Sequence, residues 1–298
     1  MRFTKQVLYS LVFLFIFSCT KKTTQNKNKN ITKKEAISLR NSLTFFTSFD
    51  NGTKAVFGKG DTNLYTVTNR KQRDFAKVGL YKQGVTIAKG KGLYGDALSY
   101  TEDSKGYLYY NAKGNMNYTK EAWEGAISFW LSLNPDEDLE PGYCDPIQIT
   151  DSGYNDAGFW VDFTKENPRD FRLGVIGDRD SWNPNPKGPD NENPIFINQL
   201  VTVDEPGFSN KSWTHIVINF KNLNRNGEAA IYVNGVFKGV RNEIKDPFTW
   251  DIHNAKIYLG LGYIGLMDEI SIYNKYLFPE EIKHLYTLKN GVQDLLEK

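Results

Sequence analysis

SWTHIVINF at residues 212–220, followed by AAIYVNGV at 229–236, decides how the rest of the chain is read. Thr214, Ile216, Ile218 and Phe220 fall on one side of an alternation of period two, and Trp213, His215, Val217 and Asn219 on the other. That period is the signature of a β-strand, and the first set is the better core face. Asn234-Gly235 after the second run is a strong hairpin signal, because a type I′ turn needs positive φ at both central positions. Val236 and Phe237 then begin the return strand. The same pattern recurs upstream in GAISFWLSL at 125–133. There Ile127, Phe129 and Leu131 share the core face, while Ser128, Trp130 and Ser132 point to the second surface of the sheet.

Further strands are expected at Leu43–Phe49, Tyr107–Tyr110, Pro146–Thr150, Phe159–Phe163, Phe171–Ile176, Lys256–Leu259 and Leu266–Tyr273, separated by Gly, Asn, Asp and Pro clusters. Residues 54–90 read as weak strands and loops. Two helices are expected, one near Lys34–Arg40 and one starting at Pro279, where Ile282, Leu285 and Tyr286 share a face. Many strands with few helices predict an all-β fold, a two-sheet antiparallel sandwich with a short C-terminal helix.

Seven segments, in order, carry a family resemblance: FTSFDNG at 46–52, GLYGDALSY at 92–100, GAISFWLSL at 125–133, SWTHIVINF at 212–220, AIYVNGV at 230–236, IYLGLG at 257–262 and LMDEISIYNKYLFPEEIKHLY at 266–286. The chain resembles the laminin-G-like, concanavalin A-like jelly rolls of bacterial envelope proteins, over roughly residues 43–288. Two departures stand out. Phe278 replaces the small or polar N-cap usual before the last helix, and the stretch from Gly177 to Pro206 is longer and more polar than a minimal connection.

The ends of the chain read differently from its body. Arg2 and Lys5 precede the apolar run Val7–Phe17, which has the length of a secretory h-region and is too short to span a bilayer. Ser18 and Cys19 follow at once. This resembles a bacterial lipobox, which implies cleavage before Cys19, lipidation of its thiol, and an address in the cell envelope, with the outer membrane as the expected site. Residues 19–42 are then expected to be the lipidated cysteine and a tether rich in Lys, Asn and Thr, and residues 43–290 the globular domain. Residues 1–34 hold eight of the 37 Lys and Arg and none of the 35 Asp and Glu, so the remainder carries a formal net charge of −6. Such a domain does not suit nucleic acid. With Cys19 lipidated, Cys144 has no disulfide partner. A monomer is expected.

Chemistry is sparse. Asp268 alternates with Ile264, Leu266, Ile270 and Ile272, so a carboxylate is expected to point inward near a strand end, and Asp50 closes the first strand. With loop carbonyls these two would suit a structural Ca²⁺, as members of the resembled family often bind. The alternative is an Asx turn at Asp50 and backbone N–H bonds to Asp268. For sugar binding, the best candidate is Trp182 within Gly177–Pro194, flanked by Asp180 and Asn183. It is either an exposed stacking platform or a plug fastening the loop, with Tyr154 and Trp160 in second line. No ExDxxE run for a concanavalin A-like glucanase is present, and no GxSxG. His215 reads as structural. No catalytic residue is assigned. The expectation is therefore a lipid-anchored, lectin-like protein that engages an extracellular polysaccharide or glycoconjugate. A glycoside hydrolase or polysaccharide lyase on the same fold, and a protein-adhesion module, are the alternatives.

Overall fold

The computed structural model describes residues 33–204 and 206–297, so the signal segment, Cys19 and the first part of the tether lie outside the described residues. In chain order the strands are β1 (Leu43–Thr47), β2 (Phe57–Gly58), β3 (Tyr65–Val67), β4 (Lys77–Val78), β5 (Val85–Ala88) and β6 (Ala97–Tyr100). Then come β7 (Tyr107–Asn111), β8 (Trp123–Ser132), β9 (Cys144–Thr150), β10 (Gly158–Phe163), β11 (Phe171–Ile176) and β12 (Val201–Val203). The last five are β13 (Thr214–Leu223), β14 (Gly227–Val233), β15 (Val236–Ile244), β16 (Lys256–Leu261) and β17 (Gly265–Tyr273).

These strands form two antiparallel sheets. The first runs β15-β14-β13-β8-β17-β1-β2, with β6 on β17 and β5 on β6; the second runs β12-β11-β10-β9-β16-β7-β3-β4. Their inner faces make one core, in which Ile127, Phe129, Ile216, Ile218 and Phe220 of the first sheet meet Ile147, Ile149, Phe159 and Val161 of the second. Trp123 is its aromatic hub, with Phe159, Phe220 and Trp250 edge-on at 5.1, 5.1 and 4.7 Å between ring centroids. Asn234 and Gly235 both have positive φ, 51° and 74°, and Val233 pairs with Val236, as the hairpin signal requires.

The outer face of the first sheet is covered by the first and last of the described segments. Residues 33–42 are helical, and Leu39 packs with Val217, Tyr232 and Phe46. Ile282 and Leu285 of the helix Pro279–Tyr286 close the same layer, joined by Val292 and Leu295. This corrects the expected boundaries. The stretch up to residue 42 is not all tether, because Leu39 is an anchor with no exposed surface, and the packed chain extends past residue 290. Trp130 and His215 lie under the last helix, with Tyr286 stacked on both rings at 5.7 and 5.9 Å. His215 bonds Ser128 Oγ at 2.8 Å, and burial lowers its pKa to about 3, so it is a neutral structural group.

Phe278 cannot cap the last helix, but Glu281 at N3 does half of that task. Its Oε2 accepts the Phe278 N–H at 2.8 Å, and its Oε1 accepts from Lys275 Nζ at 2.6 Å. Glu281→Ala removes a buried acceptor that serves a backbone donor and a cation. We expect it to cost about 1–3 kcal/mol in urea unfolding, with Glu280→Ala, on the exposed side, near neutral. Equal stability of the two variants would show that the cap does not hold the helix.

Candidate functional site

Of the two outer sheet faces, that of the second sheet is covered among the described residues only in part, by the helical turns Arg70–Phe75 and Pro194–Ile197. The register assembles a polar and aromatic row on it that crosses six strands. Tyr65 pairs with Tyr109, Tyr109 with Tyr258, Tyr258 with Gln148, Gln148 with Trp160, and Trp160 with Gly174. Paired residues point to the same side, so the row follows from strand pairing alone. Tyr65 stacks on Tyr109 at 5.4 Å. At the other end the Trp160 indole lies flat across β11. A Cβ on Gly174 would sit 2.2 Å from its ring carbons, so only glycine admits the ring there.

Beside this row a cavity of about 290 Å³ opens over β9, β10 and β11. Trp160 and Leu261 form its apolar lining, Tyr143 and Tyr154 flank it, and Asp145, Asp162 and Arg172 supply the polar groups. A second depression shares Tyr143 and Leu261 with the first and continues to Tyr107, Lys82 and Lys105, so the two form one groove along the sheet.

Burial governs the charges. Arg172 grips Asp162 with two prongs, Nε to Oδ1 at 2.9 Å and Nη2 to Oδ2 at 2.5 Å. Burial raises the Asp162 pKa, and the hydrogen bonds and charge of Arg172 offset part of that rise. Burial likewise opposes the charge on Arg172, but Asp162 outweighs it and raises the Arg172 pKa. Asp145 has no such partner. Burial, then the neighbouring Asp162 charge, raises it to about 8, against the milder pull of Arg70, the Gln148 amide that bonds it at 2.6 Å, and Arg172. At neutral pH Asp145 is therefore mainly a protonated acid that can donate a hydrogen bond. A glycosidase needs two working carboxylates. Here both oxygens of Asp162 are occupied by Arg172, which leaves Asp145 as the one free carboxyl lining this cavity.

The structure redistributes the residues singled out for sugar binding. Trp160 and Tyr154 reach the cavity. Trp182 does not offer an exposed face: it is 7% exposed, packs on Phe196 at 5.6 Å, and its Nε1 donates to the Asn155 carbonyl at 3.1 Å. The exposed platform is thus corrected to the plug, since the indole gains more by burial than by waiting in solvent. Asn183 is buried and donates to Asp190 Oδ1 at 2.6 Å, fastening the same loop. Asp180 is exposed and stands off the cavity. What the fastened loop contributes is Phe196, which stacks on Trp160 at 6.1 Å and lines the cavity wall. Asp145, Gln148, Asp162, Arg172 and Tyr143 were not singled out from the sequence. A signal existed: in FWVDF, Asp162 shares Trp160's face, opposite Phe159, Val161 and Phe163.

Asp268 is buried, but not on the face that alternation predicts. Met267, Ile270 and Ile272 enter the core, while Asp268 pairs with Trp130, which faces the outer layer. The cause is a bulge at Glu269, whose φ is +54°. Asp268 accepts the N–H of Glu269 at 2.8 Å and of Tyr94 at 3.3 Å. Asp50 accepts the Asp96 N–H at 2.7 Å and raises Asp268 through its charge. Burial above all lifts Asp268 to about 8, and burial with the Asp268 charge lifts Glu269 to about 9. Neither has a salt-bridge partner among the described residues. No group of three or more His, Cys, Asp or Glu there is arranged as a metal site, so a cation between Asp50 and Asp268 would need backbone carbonyls as well.

The model of the concanavalin A-like lectin/glucanases superfamily matches residues 102–283, more than half of the chain. Among solved structures, domain 4 of AbnA, a GH43 extracellular arabinanase from Geobacillus stearothermophilus in complex with arabinotriose, aligns with a TM-score of 0.50 at 18% identity, covering 81% of this chain and 97% of that one. The botulinum neurotoxin serotype D binding domain aligns with a TM-score of 0.53 at 14% identity, over 84% of this chain. The ligand binding domain of the same serotype in complex with N-acetylneuraminic acid also aligns at 0.53 and 14%, over 85% of this chain. This chain spans about half the length of those two, 52% in each case. At these identities the likeness is one of fold. No curated protein matches the sequence significantly.

Proposed function

Because the chain belongs to the concanavalin A-like lectin/glucanases superfamily, we propose that it is a glycan-binding protein whose ligand lies in the groove on the outer face of the second sheet. The observation that carries this reading is the cavity over Trp160, walled by aromatic rings and furnished with a neutral acid and a held guanidinium. Rings offer flat apolar faces to sugars, and fixed polar groups select their hydroxyls. Support comes from structures of the same fold, one holding arabinotriose and another N-acetylneuraminic acid. The occupied Asp162 favours binding over cleavage.

Tyr143, 39% exposed, is the wall residue that can be removed with least harm to the core. In affinity electrophoresis of the full chain against a panel of neutral and acidic polysaccharides, we expect Tyr143→Ala to weaken retention about tenfold, the loss of one stacking contact, with unchanged melting and no reducing ends released. Retention identical to wild type would place the ligand elsewhere, and release of reducing ends would make the protein an enzyme.

We also propose a structural Ca²⁺ between Asp50 and Asp268. Its support is a buried carboxylate with no cation beside it, which a hard dication would satisfy. The backbone crowds this spot: a Cβ on Gly95 would lie 2.1 Å from Asp50 Oδ1, and one on Gly92 2.8 Å from Asp268 Oδ2. Without the ion, Asp268 and Glu269 titrate higher in the folded than in the unfolded chain. Their contribution is then fully present below about pH 4 and is lost as pH rises through about 8 to 9. Thermal melting in chelator should therefore fall across that window. Calcium at pH 8 should restore it in wild type and leave Asp268→Asn unmoved. Equal gains in both would dismiss the site.

For Cys19 we propose lipidation in a bacterial envelope, on the strength of the apolar run and Ser18-Cys19. Cys19→Ser is expected to move the protein from the membrane to the soluble fraction, and the intact mass of the wild type should exceed that of its cleaved chain by the acyl groups. An unmodified mass would end this reading.

A further inference from the structure

The domain is net acidic, yet cations gather on the face that holds the groove. Arg70, at the start of the helical turn Arg70–Phe75, lies over the rings of Tyr258 and Tyr107 at 4.2 and 4.9 Å. Lys256 lies 5.7 Å from the Tyr109 ring, and Lys82 is buried with its Nζ on the Gly260 carbonyl at 3.3 Å. None of Arg70, Arg73, Lys82 and Lys256 has a carboxylate within salt-bridge distance among the described residues. Arg73 and Lys256 are at least bonded to carbonyls, those of Asn254 and His253. Among the described residues Arg70 has no hydrogen-bond acceptor, and its Nε is buried without a partner.

Two further groups of the cross-strand row are in a similar state. Among the described residues Gln148 Oε1 is buried without a partner, and the buried Tyr258 hydroxyl has only the Arg73 guanidinium close to it, outside good hydrogen-bond geometry; the two residues are 3% and 0% exposed. Buried polar atoms without partners are costly, about 1–3 kcal/mol each, and they cluster where a ligand supplies the missing partner. The carboxylates facing this spot do not cancel the charge. Asp145 acts on Arg70 only from beyond salt-bridge distance among the described residues and has its own pKa raised by burial, Asp162 is spent on Arg172, and Asp103 lies at the far end by Lys82.

We propose that the glycan taken by this groove is an acidic one, whose carboxylate reaches Arg70, which lies beside the groove over Tyr258 and over Tyr107, a lining residue of the second depression. The inference rests on the glycan-binding reading and narrows it to carboxylate-bearing saccharides. A guanidinium matches a carboxylate with two parallel N–H donors, and a face already dehydrated by aromatic rings strengthens the contact. The bland role of Arg70, a cation–π staple holding its turn to the sheet, uses the flat face of the guanidinium and leaves the donors at its edge open.

The test uses the full chain with polygalacturonate, alginate and hyaluronan, each beside its carboxyl-reduced form, together with neutral arabinan. We expect at least one acidic polymer to bind, and at least tenfold loss on carboxyl reduction. Raising the salt from 0.05 to 0.5 M, conditions of the experiment that shorten electrostatic reach to about 4 Å, should weaken binding similarly. Arg70→Met, which keeps an apolar cover over Tyr258, should lose the acidic polymer at unchanged melting temperature, and Arg70→Lys should recover part of it. Equal binding of reduced and native polymers, or full binding by Arg70→Met, would overturn the inference while the glycan-binding reading stands. Binding of arabinan alone would do the same. Binding of no polymer, neutral or acidic, would overturn both.

Discussion

Two stacked sheets have four faces, and only two of them can be buried against each other. The rest of this structure follows from how the other two are managed. The first sheet turns Phe46, Val217, Trp130 and Tyr232 outward, a surface too apolar to leave in water. The first and last of the described segments fold back to cover it, with Leu39 on one side and Ile282, Leu285 and Leu295 on the other. The second sheet receives no such layer. Its outward row of Tyr65, Tyr109, Tyr258, Gln148 and Trp160 is roofed only in part, by the turn that carries Arg70 and by the loop that carries Phe196. The gap between these two partial roofs is the groove.

The same economy explains the buried charges. A carboxylate out of water must find donors, a cation or a proton. Asp162 finds Arg172 across the strand pair, and Asp190 finds Arg179 at 2.6 Å together with two asparagines, which is how the Trp182 loop is locked in place. Asp145 finds only an amide and answers by holding its proton. Asp268 and Glu269 find backbone N–H groups, and the Asp268 charge raises Glu269 further. Asp162 and Asp190 are thus paired, whereas Asp145, Asp268 and Glu269 have no cation within salt-bridge distance among the described residues.

Much of the fold was legible in the amino-acid sequence, because alternation and turn chemistry are local. Ile216, Ile218 and Phe220 enter the core as the period of two requires, Asn234-Gly235 turns the hairpin, and Pro279 opens the last helix. Alternation failed at Asp268 because one residue of left-handed backbone at Glu269 exchanges the two faces of β17. Nothing local in LMDEISIY announces that bulge. It is imposed by pairing with β8, where the register shifts between Asp268 and Ser271.

The groove was scarcely legible, and the reason is geometric. The members of its main cavity come from residues 143–162, 172, 191, 196 and 261, and they meet only because β9, β10, β11 and β16 lie side by side. The sequence alone determined the all-β class and the faces of β8 and β13, since each depends on residues within a few positions of one another. Whether Trp182 faced solvent or packed inward depended on Phe196 and the Asn155 carbonyl. Whether Asp145 kept its proton depended on Asp162, Arg70 and Gln148. Only the tertiary structure decided these, because burial and charge are set by neighbours in space, whatever their distance along the chain.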